Sequence, residues 1–116
     1  MNLFITSNPN CVPNDALKIK LNKAFICLCE EENITNCSIN LKIIDDVEMQ
    51  KLNKNFRSIN KPTNVLSFVN EDISKEHTGN LGDIAINSDY VTRESNEQNK
   101  QYDDHMIHML IHGVYH

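Results

Sequence analysis

Apolar residues change their period along this chain, and the changes mark out its elements. Leu3 and Ile5 in NLFITS predict a short first strand. The PND that follows offers Asn14 or Asp15 as a helix cap, and Leu17, Leu21, Ala24, Phe25 and Leu28 then recur at three and four residues, the stripe of an amphipathic helix. In CSINLKII, Ile39, Leu41 and Ile43 alternate with polar neighbours, which predicts a strand with one buried face. Asp45 with Glu48 resembles a capping box, and Val47, Met49, Leu52 and Phe56 continue a second helix. That helix is expected to run as far as the KP pair at Lys61, because the residue before a proline is pushed out of the α region. Two β-like runs, NVLSFV and LGDIAIN, then flank the acidic stretch EDISKEHTGN, and the remainder is polar and then helical. There is no internal repeat, proline-rich linker or low-complexity tract. The order of elements predicts an α+β fold, a small mixed β-sheet with packed helices.

At 116 residues the chain is read as one domain spanning 1–116, long enough to bury a core without disulfides. Its four cysteines, Cys11, Cys27, Cys29 and Cys37, form no C-x-x-C zinc pattern. Cys27 and Cys29 are two apart in a helical pattern and so face different ways, which predicts free thiols. The opening MNLFITSNPN lacks the basic start and apolar run of a secretion signal, and no segment approaches the roughly 18 apolar residues needed to span a bilayer. A reducing cytoplasm is the expected setting, with no membrane partner. The net charge of −5 argues against a protein that coats nucleic acid non-specifically. It does not exclude a local patch: Lys51, Lys54, Arg57 and Lys61 form a positive stretch with no acid between them, which reads either as a solvated face or as a binding surface.

The chemistry-bearing stretch is HMLIHGVYH. His112 and His116 are four residues apart, so on a helix they share a face and their rings can converge on one ion, for which zinc is the usual guest. H-x-x-x-H alone is not specific; a surface or packing role accounts for it as well. A catalytic zinc site needs three protein ligands and an open position, with each imidazole neutral. Zinc peptidases carry a glutamate after the first histidine, and here that position is Gly113, which argues against proteolysis. A glycine inside a helix costs about 1 kcal/mol relative to alanine, so Gly113 implies that backbone or substrate comes close. His108 continues the row, but residues eight apart on a straight helix are separated by about 12 Å along its axis. It is therefore read as lying beside a metal or substrate, or as a histidine satisfied by a buried hydrogen bond.

Taken together, FRSINKPTNVLSF, LGDIAIN and HMLIHGVYH resemble the YbeY family, the bacterial ribosomal-RNA maturation endoribonucleases. The resemblance runs from about Leu41 to the end, with three motifs in the family's order. It implies a metal-dependent hydrolase fold, with His112 and His116 as the first two zinc ligands and Arg57 in the active cleft. His108 matches a histidine that often precedes the metal motif by one turn. Pro62, Thr63 and Val65 to Phe68 match the strand lining the site, and Gly82, Asp83 and Ile84 match the second strand. Asn64 stands where the family usually has aspartate. The third ligand would be a histidine six residues beyond His116, past the last residue, so the metal motif reads as incomplete at its C-terminal end.

The function implied is a zinc-dependent, single-strand-specific endoribonuclease acting in 3′-end maturation of small-subunit ribosomal RNA and in ribosome quality control. Its partners would be a ribosomal RNA precursor and the ribosome or small subunit, with no DNA. Arg57 would hold the phosphate, and the basic cluster would track the RNA backbone. Two other readings remain at this point: a non-catalytic ribosome- or RNA-binding module with a degenerate metal site, and a metal-dependent hydrolase acting on another substrate.

Overall fold

The computed structural model describes residues 2–35, 37–69 and 79–115. The expected His116, and most of the acidic EDISKEHTGN stretch, lie outside the described residues. The elements follow in the order β1 (Asn2–Ser7), α1 (Asp15–Glu31), β2 (Cys37–Ile44), α2 (Asp46–Arg57), β3 (Val65–Val69), β4 (Gly79–Asn87), α3 (Ser88–Glu97) and α4 (Tyr102–Tyr115). They form an α+β fold with a four-stranded sheet in the order β1-β2-β4-β3. β1, β2 and β4 run parallel, and β3 pairs antiparallel with β4 at the edge.

Local chemistry accounts for the helix ends. Asn14 caps α1, its side chain accepting from the Leu17 N–H at 2.8 Å. At the other end Asn33 takes a left-handed conformation, φ 54°, and Ile34 N–H returns to the Cys29 carbonyl at 2.9 Å. Asp45 caps α2 by accepting from Glu48 N–H at 3.0 Å. α2 stops at Arg57, earlier than the proline predicts. Ser58 enters the left-handed region at φ 57°, and its N–H closes on the Lys54 carbonyl at 3.1 Å. The buried Asn53 side chain then donates to the Lys61 carbonyl at 2.8 Å, holding the segment that turns back toward β3. The proline shapes the entry into the strand; the left-handed serine ends the helix.

One face of the sheet carries the main core. Leu3, Ile39, Leu41, Ile43, Ile84 and Ile86 meet the α1 stripe of Leu17, Leu21, Phe25 and Leu28, together with Met106, Met109, Leu110 and Val114 of α4. Cys29 and Cys37 are buried here as free thiols 3.2 Å apart, and burial followed by the Cys37 contact pushes Cys29 up to about 12. Cys27 is exposed, as its offset from Cys29 requires. On the opposite face α2 covers one end only, its Met49 packing on Ile44, Leu66 and Ala85. Two positions of the expected α2 stripe, Val47 and Phe56, are exposed instead, because the helix presents Met49 and Asn53 inward.

Candidate active site

The last turns of α4 lie against the edge of the sheet because Gly113 has no side chain. A Cβ there would stand 3.1 Å from Ile84 Cγ2 and 3.3 Å from both Ile84 Cδ1 and Val65 Cγ2. The close approach expected at this glycine is thus to strand side chains. Ser67 Oγ donates to the Gly113 carbonyl at 2.5 Å, so the edge strand grips the helix through a group that intrahelical bonding leaves available near its end. This places His112 at the rim of β3. Arg57 arrives from the C-terminal end of α2. Together with Thr63, Asn64 and Val65–Phe68 they line a cleft of about 550 Å³.

A buried polar framework holds the far wall. Asn87, fully buried, donates from Nδ2 to Asp46 Oδ1 at 2.7 Å and to the Thr63 carbonyl at 3.2 Å. Its backbone N–H donates to the Asn64 carbonyl at 2.8 Å. Arg93 grips Asp46 with two bonds, 2.7 and 2.9 Å, and this guanidinium, aided by Asn87 and opposed by burial, holds the Asp46 carboxyl below its usual range. The Asn64 side chain donates to Glu94 Oε1 at 3.4 Å, and the same oxygen meets Nε2 of the buried His105 at 3.2 Å. Asparagine at position 64 is therefore a donor to a neighbouring acid; an aspartate there would face Glu94 with like charge.

The sequence-predicted residues separate in space. Arg57 and His112 line the same cleft. Arg57 is exposed, and among the described residues no carboxylate pairs with it, in contrast to Arg93. His108 is not part of the cleft wall; its ring stacks on His105 with centroids 5.9 Å apart and planes 10° from parallel. His108 is exposed, so it is not the buried hydrogen-bonded histidine that was one expectation; partial desolvation of its ring, followed by the charges of Lys100, His105 and His112, lowers its pKa. His116 lies outside the described residues. Sequence reading missed Glu94 and His105, whose connection across 11 residues joins two helices and leaves no local pattern. It also missed the grip of Ser67 on α4.

The model of the family described as endoribonuclease YbeY matches residues 4–116. The chain belongs to the endoribonuclease YbeY family. Among its relatives, the endoribonuclease YbeY of Francisella philomiragia is 36% identical over 116 residues, covering 97% of this chain and 72% of that protein. The endoribonuclease YbeY of Francisella tularensis is 34% identical over 120 residues, covering 97% and 70%. The solution structure of TM1509 from Thermotoga maritima superposes with a TM-score of 0.70 at 23% identity, covering 98% of this chain and 70% of that one, which is a likeness of fold. The family match includes the cleft wall, Arg57 and the α4 histidines of this YbeY-family chain.

Whether these residues suit zinc follows from the donor set. His112 supplies one imidazole at the cleft, and His116 is a second by spacing. Among the described residues no group of three or more His, Cys, Asp and Glu side chains could hold a metal ion. Imidazole is a donor that suits zinc.

Proposed function

We propose that this chain is a single-strand-specific endoribonuclease that matures the 3′ end of small-subunit ribosomal RNA and serves ribosome quality control in the cytoplasm, with zinc as its metal. The observation that carries this reading is the meeting of Arg57 and His112 on one cleft in a chain that belongs to the YbeY family. His112 and His116 would hold the zinc together with a donor from outside the described residues. When bound, zinc lowers the pKa of a coordinated water to roughly 7 and polarises a phosphate oxygen.

The chain's own residues supply the rest. Arg57 presents a planar, permanently charged fork that binds a phosphodiester through two oxygens and offsets the charge that builds on them as the bond is attacked. The Gly113 contact and the Ser67 bond fix the turn of α4 that carries His112, so the imidazole and the guanidinium keep their spacing across the cleft. The exposed Lys51, Lys54 and Lys61 extend the positive surface away from Arg57, where an RNA backbone can follow it. An acidic protein thus gains a local site for a polyanion.

The test is cleavage of a labelled, unstructured RNA and of its duplex by the zinc-supplemented protein. The single strand alone should be cut, and Arg57→Ala and His112→Ala should abolish cutting while melting temperatures stay within a few degrees. A second reading is a ribosome- or RNA-binding module without catalysis. Tight single-strand binding with no cleavage at saturating zinc would select it, and cleavage of non-RNA esters alone would select a hydrolase of other substrates.

A further inference from the structure

We propose that Phe56 and Phe68 form a stacking platform for an unpaired nucleobase next to the phosphate held at Arg57. The proposal rests on the reading of this chain as an RNA-cutting enzyme and deepens it. α2 leaves one end of its sheet face open, and across that end runs a single register row, Phe4–Asn40–Asp83–Phe68, one residue from each strand. Phe68 is 44% exposed and Phe56 64%. Their rings stand 5.2 Å apart at 61°, edge to face, so the ring that points its edge keeps its own faces clear of its partner. Burial of the Phe56 ring is not what holds α2 down, since Met49 and Asn53 face inward there.

Phe68 belongs to two depressions at once. On one side it closes the cleft that holds Arg57 and His112. On the other, with Phe56 and Leu52, it walls a hollow of about 340 Å³ whose floor includes Asn40, Lys42 and Asp83. A strand whose phosphate lies at Arg57 therefore has an adjoining aromatic surface within the same wall, and Phe56 is Arg57's immediate neighbour in sequence.

Charge decides which part of a nucleotide fits each side. The hollow's cation, Lys42, is taken by Glu48 at 2.7 Å, and Asp83 remains on the floor, accepting from Asn40 Nδ2 at 2.9 Å. A phosphate placed there would face a carboxylate. A base would instead stack on a phenyl ring and offer an amino group to Asp83 or Asn40, while its phosphate stays with Arg57. Stacking needs a base whose faces are free, which a paired base within a duplex does not have. The hollow would in this way select single strands.

Affinity measured in EDTA separates this from cleavage. The probes are an unstructured RNA octamer and the same octamer with abasic sites at its centre, followed by fluorescence anisotropy. The wild-type protein should bind the first about fivefold or more tightly than the second, the scale of one stacked base. Phe68→Leu and Phe56→Leu, which keep an apolar side chain at exposed positions, should each remove that preference, and Phe56→Leu, whose side chain lines the hollow and not the Arg57–His112 cleft, should leave abasic binding unchanged. A 5-iodouridine in the octamer should photocrosslink to Phe56 or Phe68. Equal affinity of the wild type for both RNAs, or a preference that survives in both variants, overturns the platform and leaves the RNA-cutting reading standing. No binding of either RNA overturns both.

Discussion

Gly113→Ala tests whether the site is held by the fit of α4 against the sheet. In isolation the change favours the helix: alanine gains about 1 kcal/mol over glycine in a helix interior, and the added methyl, buried, gains up to about 0.8 kcal/mol more. Against this stand the contacts. The new Cβ would lie 3.1 Å from Ile84 Cγ2 and 3.3 Å from two further methyl carbons. These belong to β-branched residues, stiff at χ1, and Ile84 is 1% exposed in a strand paired on both sides. They cannot rotate aside as the tip of a lysine could. The helix must shift outward by some tenths of an ångström, at an overpacking cost of about 1–3 kcal/mol. The 2.5 Å Ser67 bond to the Gly113 carbonyl stretches with it, a further loss of about 1 kcal/mol. The balance is a destabilisation of about 1 kcal/mol, read as a lowered urea midpoint with unchanged slope. RNA cleavage should fall by more than the population of folded protein does, because His112 moves with the helix while Arg57 does not. Val65→Ala removes one of the crowding methyls and should reduce the penalty when combined with Gly113→Ala. A raised midpoint in the single variant would mean that helix propensity outweighs the contact and that α4 is not positioned by this close approach.

Arg57→Lys should lower single-turnover RNA cleavage at least tenfold with little change in melting temperature, since lysine keeps the charge and loses the fork; equal rates would remove Arg57 from the phosphate. Replacing Lys51 and Lys54 together by glutamine should weaken RNA binding and flatten its dependence on salt, and an unchanged slope would return both to solvated surface. The Asp46–Arg93 pair lowers the Asp46 pKa, so its stabilisation is complete above the unfolded carboxyl value, about 3.9, and is lost as pH falls through the lower folded value. Arg93→Met should accordingly cost about 0.2–1 kcal/mol near pH 7 and nothing well below that value, as followed by urea midpoints across pH. Zinc affinity should fall in His112→Ala by calorimetry, and an unaltered isotherm would place the metal elsewhere.

Periodic burial makes most of the fold legible in the sequence. The α1 stripe and the alternation of Ile39, Leu41 and Ile43 each follow from one element packing one face, and all of these but the half-buried Ala24 are in the core. The α2 stripe misled because its helix covers only part of a sheet face; Val47 and Phe56 match the period yet stay exposed, with Phe56 set edge to face against the exposed Phe68 ring. Its end was misplaced for a different reason. A proline announces where a helix cannot continue, whereas Ser58 at φ 57° stops it through a conformation that serine does not advertise. For the site, motifs spaced along the chain carried Arg57 and His112 to one cleft, because each is fixed to the end of a recognisable element. The Asn64–Glu94–His105 connection was invisible, since it joins a loop to two helices through side chains with no shared spacing.

The same contrast explains how an acidic chain can present an RNA-facing site. Of the two arginines, Arg93 is spent on architecture, chelating Asp46 so that Asn87 can tie α2, the 63–64 segment and α3 together. Arg57 sits at the end of α2, beyond the reach of that network, and lines the cleft. Lys42 is likewise paired with Glu48, which keeps it from drawing a phosphate onto the open sheet face. With those two cations paired, the positive run from Lys51 to Lys61 stands beside a hollow that carries Asp83. Position along the polyanion is then set by where cations are unpaired more than by their number, and net charge says little about where the backbone will lie. Moving one of the paired cations out of its ion pair should shift the path of the RNA: in Glu48→Gln, Lys42 is released beside Asp83. If pairing sets the path, that variant should bind the abasic octamer more tightly than wild type does and with a steeper salt dependence, and identical affinity and slope would refute the argument.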